Sequence, residues 1–360
     1  MIMTLIVTII IIGILVLVHE LGHFLSAKWM GVRVEIFSLG FGPRLVGFNK
    51  GETEYRISLI PLGGYVKLYG EHPETIPSVV ETSKAFAFRS PLQKAFIVIA
   101  GPLANFILAV IVFWFLFSVI GIYLSPSKIG GILPNSPAEK AGLKAGDEIL
   151  EINGKKVDSF QDLVLSLRSK QIQEEIILKI KRQEKIWEVK IKPELKEDYN
   201  IFGKKTLIPI IGIKSSEEII HKKYNPFLAF LLAIKKVSEI TSLIFIAIYK
   251  LFIGELPFST LGGPISIGKM AGETAKLGIF ALLSFTAILS INLGVINILP
   301  LPMLDGGHLV LFGIEAIRKK PLSLKTQELI FKIGLMLIIA LSIAVFYNDI
   351  MKLLSGWKLP

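Results

Sequence analysis

Cysteine is absent from all 360 residues, and only 19% of them are charged. Without thiols no disulfide can staple an external part and no thiolate can hold a metal, so any metal site must use His, Asp or Glu. Soluble domains are usually about a quarter charged. The shortage here, with 52% hydrophobic residues and a mean hydropathy of +0.62, points to lipid as the solvent for much of the chain. A basic groove with interleaved aromatics is missing too. The net charge is +11, but the lysines and arginines sit in loops between apolar runs, a pattern of membrane topology that excludes nucleic acid as the partner. The opening segment lacks the basic start and small-residue cleavage site of a signal peptide, since Met1 runs directly into Ile2-Met3-Thr4.

What is present is a series of long apolar runs. The first covers residues 1–27 and is read as a retained span, the second 95–124, the third 279–312 and the fourth 329–347. Lys28, Arg33, Arg44, Lys50, Arg56, Lys67, Lys84, Arg89 and Lys94 lie between the first two, and Arg318, Lys319, Lys320 and Lys325 between the last two. The positive-inside rule puts both loops in the cytoplasm and residues 125–278 outside. The run 227–252 is apolar but carries Lys235, Lys236, Glu239 and Lys250. If it crossed the membrane, Asp305 would emerge on the far side from His19 and His23. Laid along the surface as an amphipathic helix within an external linker, 196–278, it lets all three meet on one side.

Residues 126–195 read as a separate module. Lys128 to Leu133 is a short strand containing Gly130, Gly131 and Ile132, and Ser136-Pro137-Ala138-Glu139 is a helix-capping pattern. Asn153-Gly154 is a hairpin turn between apolar residues, Ser159 to Ser169 has helical periodicity, and Ile176–Ile180 and Ile186–Ile191 alternate as strands. This pattern, and above all Gly146-Asp-Glu-Ile-Leu-Glu-Ile-Asn-Gly154, resembles a protease-associated bacterial PDZ domain. The resemblance implies a groove at Gly130, Gly131 and Ile132 where an extended peptide adds as a strand. A spacer or steric gate is the other reading of the module.

The chemistry is concentrated at the end of the first span, in His19-Glu20-Leu21-Gly22-His23. On a helix the two imidazoles lie one turn apart on one face and can reach one zinc ion, with Glu20 beside them to take a proton from water. Three ionisable residues in one turn of a membrane helix are costly unless they serve a function. A catalytic zinc normally takes three protein ligands. Asp305, His308 and Glu315 all follow the third run, and Asp305 is preferred. It sits in Asn297-Ile-Leu-Pro300-Leu-Pro302-Met-Leu-Asp305-Gly306-Gly307, where two prolines and paired glycines dictate irregular backbone of the kind that lines a water-filled site. Separately, Tyr55 to Leu62 and Tyr65 to Tyr69 read as strands around Gly63-Gly64, a hairpin within 28–94 whose edge suits an extended peptide.

Together, HELGH on the first span and N-x-x-P-x-P-x-L-D-G-G on a late one resemble the site-2 protease family, most closely its RseP-like bacterial branch with one PDZ domain. Phe37 to Pro43, Pro61 to Tyr65, Gly101 to Asn105 and Gly262 to Ile265 extend the likeness over nearly the whole chain. It implies a polytopic α-helical membrane protein with about four transmembrane helices, a membrane-associated β-hairpin and an inserted α+β PDZ domain. The implied cofactor is Zn2+ held by His19, His23 and Asp305, with Glu20 as base and Asn297 contacting substrate backbone or oxyanion. Gly63, Gly64 and Tyr65 would belong to a hairpin that dips into the membrane and clamps substrate. The expected partners are the lipid bilayer, single-span membrane proteins of the anti-sigma-factor or signal-peptide-remnant class, and a peptide at the PDZ groove. The expected location is the bacterial inner membrane, with the module outside and the active site near the cytoplasmic side. Two rivals are a zinc transporter, for which Glu20 would be dispensable, and a silent PDZ scaffold, for which His19 would be.

Overall fold

The computed structural model describes residues 2–71, 79–168, 175–199, 205–320 and 322–355. The chain divides into two compact units, residues 1–116 with 226–360, and residues 117–225. The first unit opens with helix α1 (Ile2–Trp29). Strands β1 (Val34–Lys50) and β2 (Thr53–Leu68) follow. These two strands fold back on each other. Ile36 to Leu39 pair with Glu54 to Ile57 on one side and with Gly64 to Lys67 on the other, while Arg44 to Lys50 pair with Thr53 to Ser58. The result is four ribbons in the order 44–50, 53–58, 36–39, 64–68, with 64–68 along one edge. Gly40 and Gly42, at φ +92° and +88°, make the bend that a β-carbon would resist.

Helix α2 (Pro91–Phe115) starts in a capping box, in which Ser90 accepts from Gln93 N and the Gln93 side chain accepts from Ser90 N. It crosses α1 at a point of very close approach. A β-carbon on Gly22 would lie 2.2 Å from Ala100 O, so only glycine permits this crossing.

In the second unit, β3 (Ile122–Leu124), β4 (Ile129–Ile132), α3 (Pro137–Lys140), β5 (Glu148–Ile152), β6 (Lys155–Lys156) and α4 (Phe160–Arg168) come in turn. They are followed by β7 (Ile176–Arg182), β8 (Lys185–Ile191), β9 (Glu194–Tyr199), β10 (Lys205–Ile210), β11 (Ile213–Ser215) and β12 (Ile220–Lys222). The main sheet runs β6-β5-β7-β8, all antiparallel, over a core of Ile149, Ile152, Leu163, Ile176, Leu178 and Ile180. Asn153 and Gly154 both take positive φ, the geometry of a tight two-residue hairpin. The Ser136 hydroxyl caps α3 by accepting from Glu139 N. The helix expected over Ser159 to Ser169 is present over Phe160–Arg168, and Ser169 lies outside the described residues.

The module also runs beyond residue 195. Strand β11 pairs with β4, and Ile211 and Ile213 join the core. Charged residues before a three-residue strand carry no periodicity from which that extension could be read.

The first unit resumes with α5 (Pro226–Phe252), α6 (Pro264–Lys276), α7 (Ile279–Ile298), α8 (Asp305–Arg318) and α9 (Leu324–Leu354). The third run is thus two helices rather than one continuous span over 279–312. Leu299 to Leu304, with Pro300 and Pro302, cannot sustain helical hydrogen bonding. Among the described residues four helices are long and apolar enough to cross a bilayer: Met3–Trp29, Pro91–Ile120, Ile279–Ile298 and Lys325–Leu354. Helix α5 is not among them. It buries Ala229, Ala233 and Val237 and leaves Lys235, Lys236 and Glu239 exposed.

Candidate metal centre

His19 and His23 lie one turn apart on α1, and their Nε2 atoms are 3.2 Å from each other. Asp305 opens α8, and its carboxylate completes the group. Oδ2 is 3.2 Å from His19 Nε2 and Oδ1 is 3.6 Å from His23 Nε2. Among the described residues these three form the one group of metal-ligand type.

The first and last turns around Asp305 explain how it arrives there. β-Carbons on Gly306 and Gly307 would lie 2.1 Å from Ile298 O and 2.3 Å from Leu301 O, so α8 seats directly on the last carbonyl of α7 and on the loop that follows it. Met303 takes φ +76°, a strained conformation for a side chain of its size, two residues before the carboxylate.

The donor set fits zinc. A tetrahedral ion with bonds of about 2.0–2.1 Å separates its ligands by about 3.3 Å, and the three observed separations are 3.2, 3.2 and 3.6 Å. Asp305 Oδ2 is moreover buried without a hydrogen-bond partner, an acceptor that a cation would satisfy. His23 Nδ1 faces Ile97 O at 3.0 Å, which puts the ring proton on Nδ1 and leaves Nε2 as the lone-pair donor.

The other expected residues fall around this group. Asn297, at the end of α7, has Nδ2 3.4 Å from His19 Nε2. Glu20 lies against the edge ribbon of β2. A β-carbon on Gly64 would lie 3.1 Å from Glu20 Cγ, and the Val66 backbone of the same ribbon is close enough to act on the Glu20 carboxylate. Gly63 takes φ +112° beside the Phe41 ring, which stacks on Tyr65 at 6.1 Å. His308 instead contacts the rings of Phe312 and Phe331, and Glu315 accepts from Leu322 N beside Lys94. Neither joins the group.

The groove expected at Gly130, Gly131 and Ile132 needs correction. Gly131 and Ile132 are paired to β11, and Ile129 exchanges backbone bonds with Gly146 and Asp147. Among the described residues, the side of this two-stranded pair without a neighbouring strand belongs to β11.

Two residues to which the sequence assigned no role stand beside the histidines. A β-carbon on Gly101 would lie 2.3 Å from His23 Nε2 and 2.9 Å from His19 Cε1. Asn105, 0% exposed, presents Nδ2 3.1 Å from His19 Nδ1, and its Oδ1 has no hydrogen-bond partner. Both belong to the segment Gly101 to Asn105 that carried part of the family likeness, which was the available signal.

Comparison with known proteins agrees with this chemistry. The family model for Peptidase family M50 matches residues 7–341. A protein of Rickettsia conorii named as a zinc metalloprotease is 39% identical over 362 residues, covering 96% of this chain and 98% of that one. Relatives named in the same way from Agrobacterium fabrum (35%, over 96% of this chain and 95% of that one) and Campylobacter jejuni (36%, over 97% and 93%) are similar along their length too. Among solved structures, the PDZ domain of an SdrC-like protein from Listeria innocua is 30% identical over 26% of this chain and 96% of its own, at a TM-score of 0.21.

Proposed function

This chain belongs to peptidase family M50, the site-2 proteases, and we propose that it cuts single-span membrane proteins within their transmembrane segments. It is a zinc metalloprotease. The observation that carries the proposal is the geometry of His19, His23 and Asp305 next to Glu20, with both histidines and Glu20 on a helix long enough to span a bilayer. In this reading the three residues hold the ion. A zinc ion held there would supply Lewis acidity toward the scissile carbonyl and the attacking water at neutral pH.

The chain's own residues do the rest. Glu20 takes a proton from the attacking water and returns one to the departing amine. Asn297 Nδ2, close to His19, donates to the oxyanion that develops on the carbonyl. A transmembrane helix hides its peptide bonds in its own hydrogen bonds, so it must unwind first. The edge ribbon 64–68, alongside Glu20, offers main-chain partners that hold the unwound stretch as an added strand. Tyr65 and the bend at Gly63 shape that edge. Helix α5 lies along the external membrane surface, the PDZ-like module is external, and the β11 edge receives a peptide. Substrates are of the anti-sigma-factor or signal-peptide-remnant class, and the site works near the cytoplasmic leaflet of a bacterial inner membrane.

The test is cleavage of a single-span model substrate by the purified full chain in detergent or proteoliposomes. Cutting within the apolar segment, abolished by chelation and restored by zinc, supports the reading. Zinc flux without any cleavage supports a transporter instead.

A further inference from the structure

We propose that Asn105 is a positioning residue for the metal centre: its amide oxygen accepts the Nδ1 proton of His19 and thereby fixes Nε2 as the zinc-facing lone pair. The inference rests on the zinc reading given above. Zinc binds an imidazole through an unprotonated nitrogen, so a neutral ligand histidine must carry its proton on the other one. In His19 the nitrogen facing His23, Asp305 and Asn297 is Nε2, at 3.2, 3.2 and 3.4 Å. The proton therefore belongs on Nδ1, which lies 3.1 Å from the Asn105 amide.

That amide is completely buried, so water cannot serve in its place. With the NH2 end toward His19, two donors would face each other once Nδ1 is protonated, and Oδ1 has no hydrogen-bond partner. A half-turn of the amide brings Oδ1 onto Nδ1 and occupies the same space, because the two ends of an asparagine amide have nearly the same shape.

The arrangement parallels that of the second histidine. His23 Nδ1 faces Ile97 O, so both rings are served by one helix, α2. Ile97, Gly101 and Asn105 follow at intervals of four along that helix, which stacks them on one face. The outer two provide acceptors, and the glycine between them leaves room for the rings. From the other side, the Ser290 hydroxyl of α7 donates to Asn105 O and ties this turn of α2 to the bundle.

The experiment compares Asn105→Leu, similar in shape but without an acceptor, with Asn105→Asp, which keeps an acceptor oxygen. Zinc affinity of each purified full-length protein is measured by competition with a chromogenic chelator, and the visible absorption of the Co2+ forms is recorded alongside. Asn105→Leu should bind zinc about 10–100-fold more weakly, the usual effect of removing a hydrogen-bond partner from a ligating histidine, and its Co2+ bands should shift. Asn105→Asp should stay within a few-fold of the wild type and retain the Co2+ spectrum. Unchanged affinity in Asn105→Leu overturns the proposal. Equal losses in both variants also overturn it, since they would mark a packing role. His23→Ala measured in parallel separates the two levels of the argument. Undiminished binding there would remove the zinc reading itself, whereas loss in His23→Ala with wild-type binding in Asn105→Leu would remove this proposal alone.

Discussion

Gly101→Ala tests whether the crossing of α1 and α2 is what shapes the metal centre. By helix propensity alone the change should stabilise α2, since alanine is favoured over glycine in a helix interior by about 1 kcal/mol. The site predicts the opposite for function. The added methyl would lie 2.3 Å from His23 Nε2, 2.5 Å from His23 Cε1 and 2.9 Å from His19 Cε1. Non-bonded heavy atoms settle near 3.5–4.0 Å, so the rings must retreat by roughly 1 Å or the helices must part. Neither is easy: His23 is held by Ile97 O, and Gly22 already brings the two backbones together. Displacements of about 1 Å in a catalytic constellation cost on the order of a hundredfold in rate. Gly101→Ala should therefore keep its helical circular dichroism and thermal midpoint, lose zinc affinity by at least about tenfold, and lose cleavage by about a hundredfold. Gly13→Ala in α1, where nothing beyond the helix's own neighbouring backbone lies within 4 Å of the new methyl, is the control and should match the wild type in all of these. If Gly101→Ala holds zinc and cuts substrate like that control, the argument from the helix crossing is wrong.

Gly334 on α9 offers a more distant version of the same test, because its missing β-carbon would lie 2.3 Å from Pro302 Cβ in the loop that leads into Asp305. Gly334→Leu should weaken zinc binding by roughly tenfold in chelator competition, through displacement of that loop; unaltered affinity would show that α9 does not support Asp305. In the PDZ-like module, Asp147 accepts from Arg182 Nε and Nη2 and from Lys144 N, at 2.6, 2.7 and 2.8 Å. Burial raises the pKa of this carboxyl, but the Arg182 guanidinium and the Lys144 amide outweigh it and hold the group below its ordinary value. A depressed folded pKa gives stability that is complete above the unfolded value, about 3.9, and is lost as pH falls through the folded one. Asp147→Asn should cost about 1.5–3 kcal/mol at neutral pH, seen as roughly ten- to a hundredfold faster hydrogen exchange in β5 and β7. The difference from wild type should shrink below about pH 4, and a gap that widened there would contradict the assignment.

What could be read from the sequence was whatever is local in the chain. The HELGH turn needs only helical spacing to bring its residues together, and the broken backbone after Ile298 is written in Pro300, Pro302 and the paired glycines. The strands of the PDZ-like module showed through alternation, and Asn153-Gly154 through turn chemistry. The readings that failed or were missing depend on contacts between distant segments. Strand β11, three residues long, belongs to the module only because it pairs with β4, and that pairing moved the free edge away from Gly130, Gly131 and Ile132. The importance of Gly101 and Asn105 arises from a helix crossing that no periodicity within α2 encodes. The doubled pairing of β1 with β2 likewise turns a simple hairpin into a four-ribbon sheet whose edge, rather than its turn, lies beside Glu20.

The central claim is that Glu20 is the base of a zinc hydrolase rather than a bystander to metal binding. Glu20→Gln retains the shape of the side chain and leaves His19, His23 and Asp305 in place, so zinc content should stay near that of the wild type. Cleavage of a model transmembrane substrate by this zinc-loaded variant is the direct measurement. It should fall by at least about a hundredfold, the scale of losing a general base, while substrate remains bound. Cutting by zinc-loaded Glu20→Gln at the wild-type rate would contradict the mechanism.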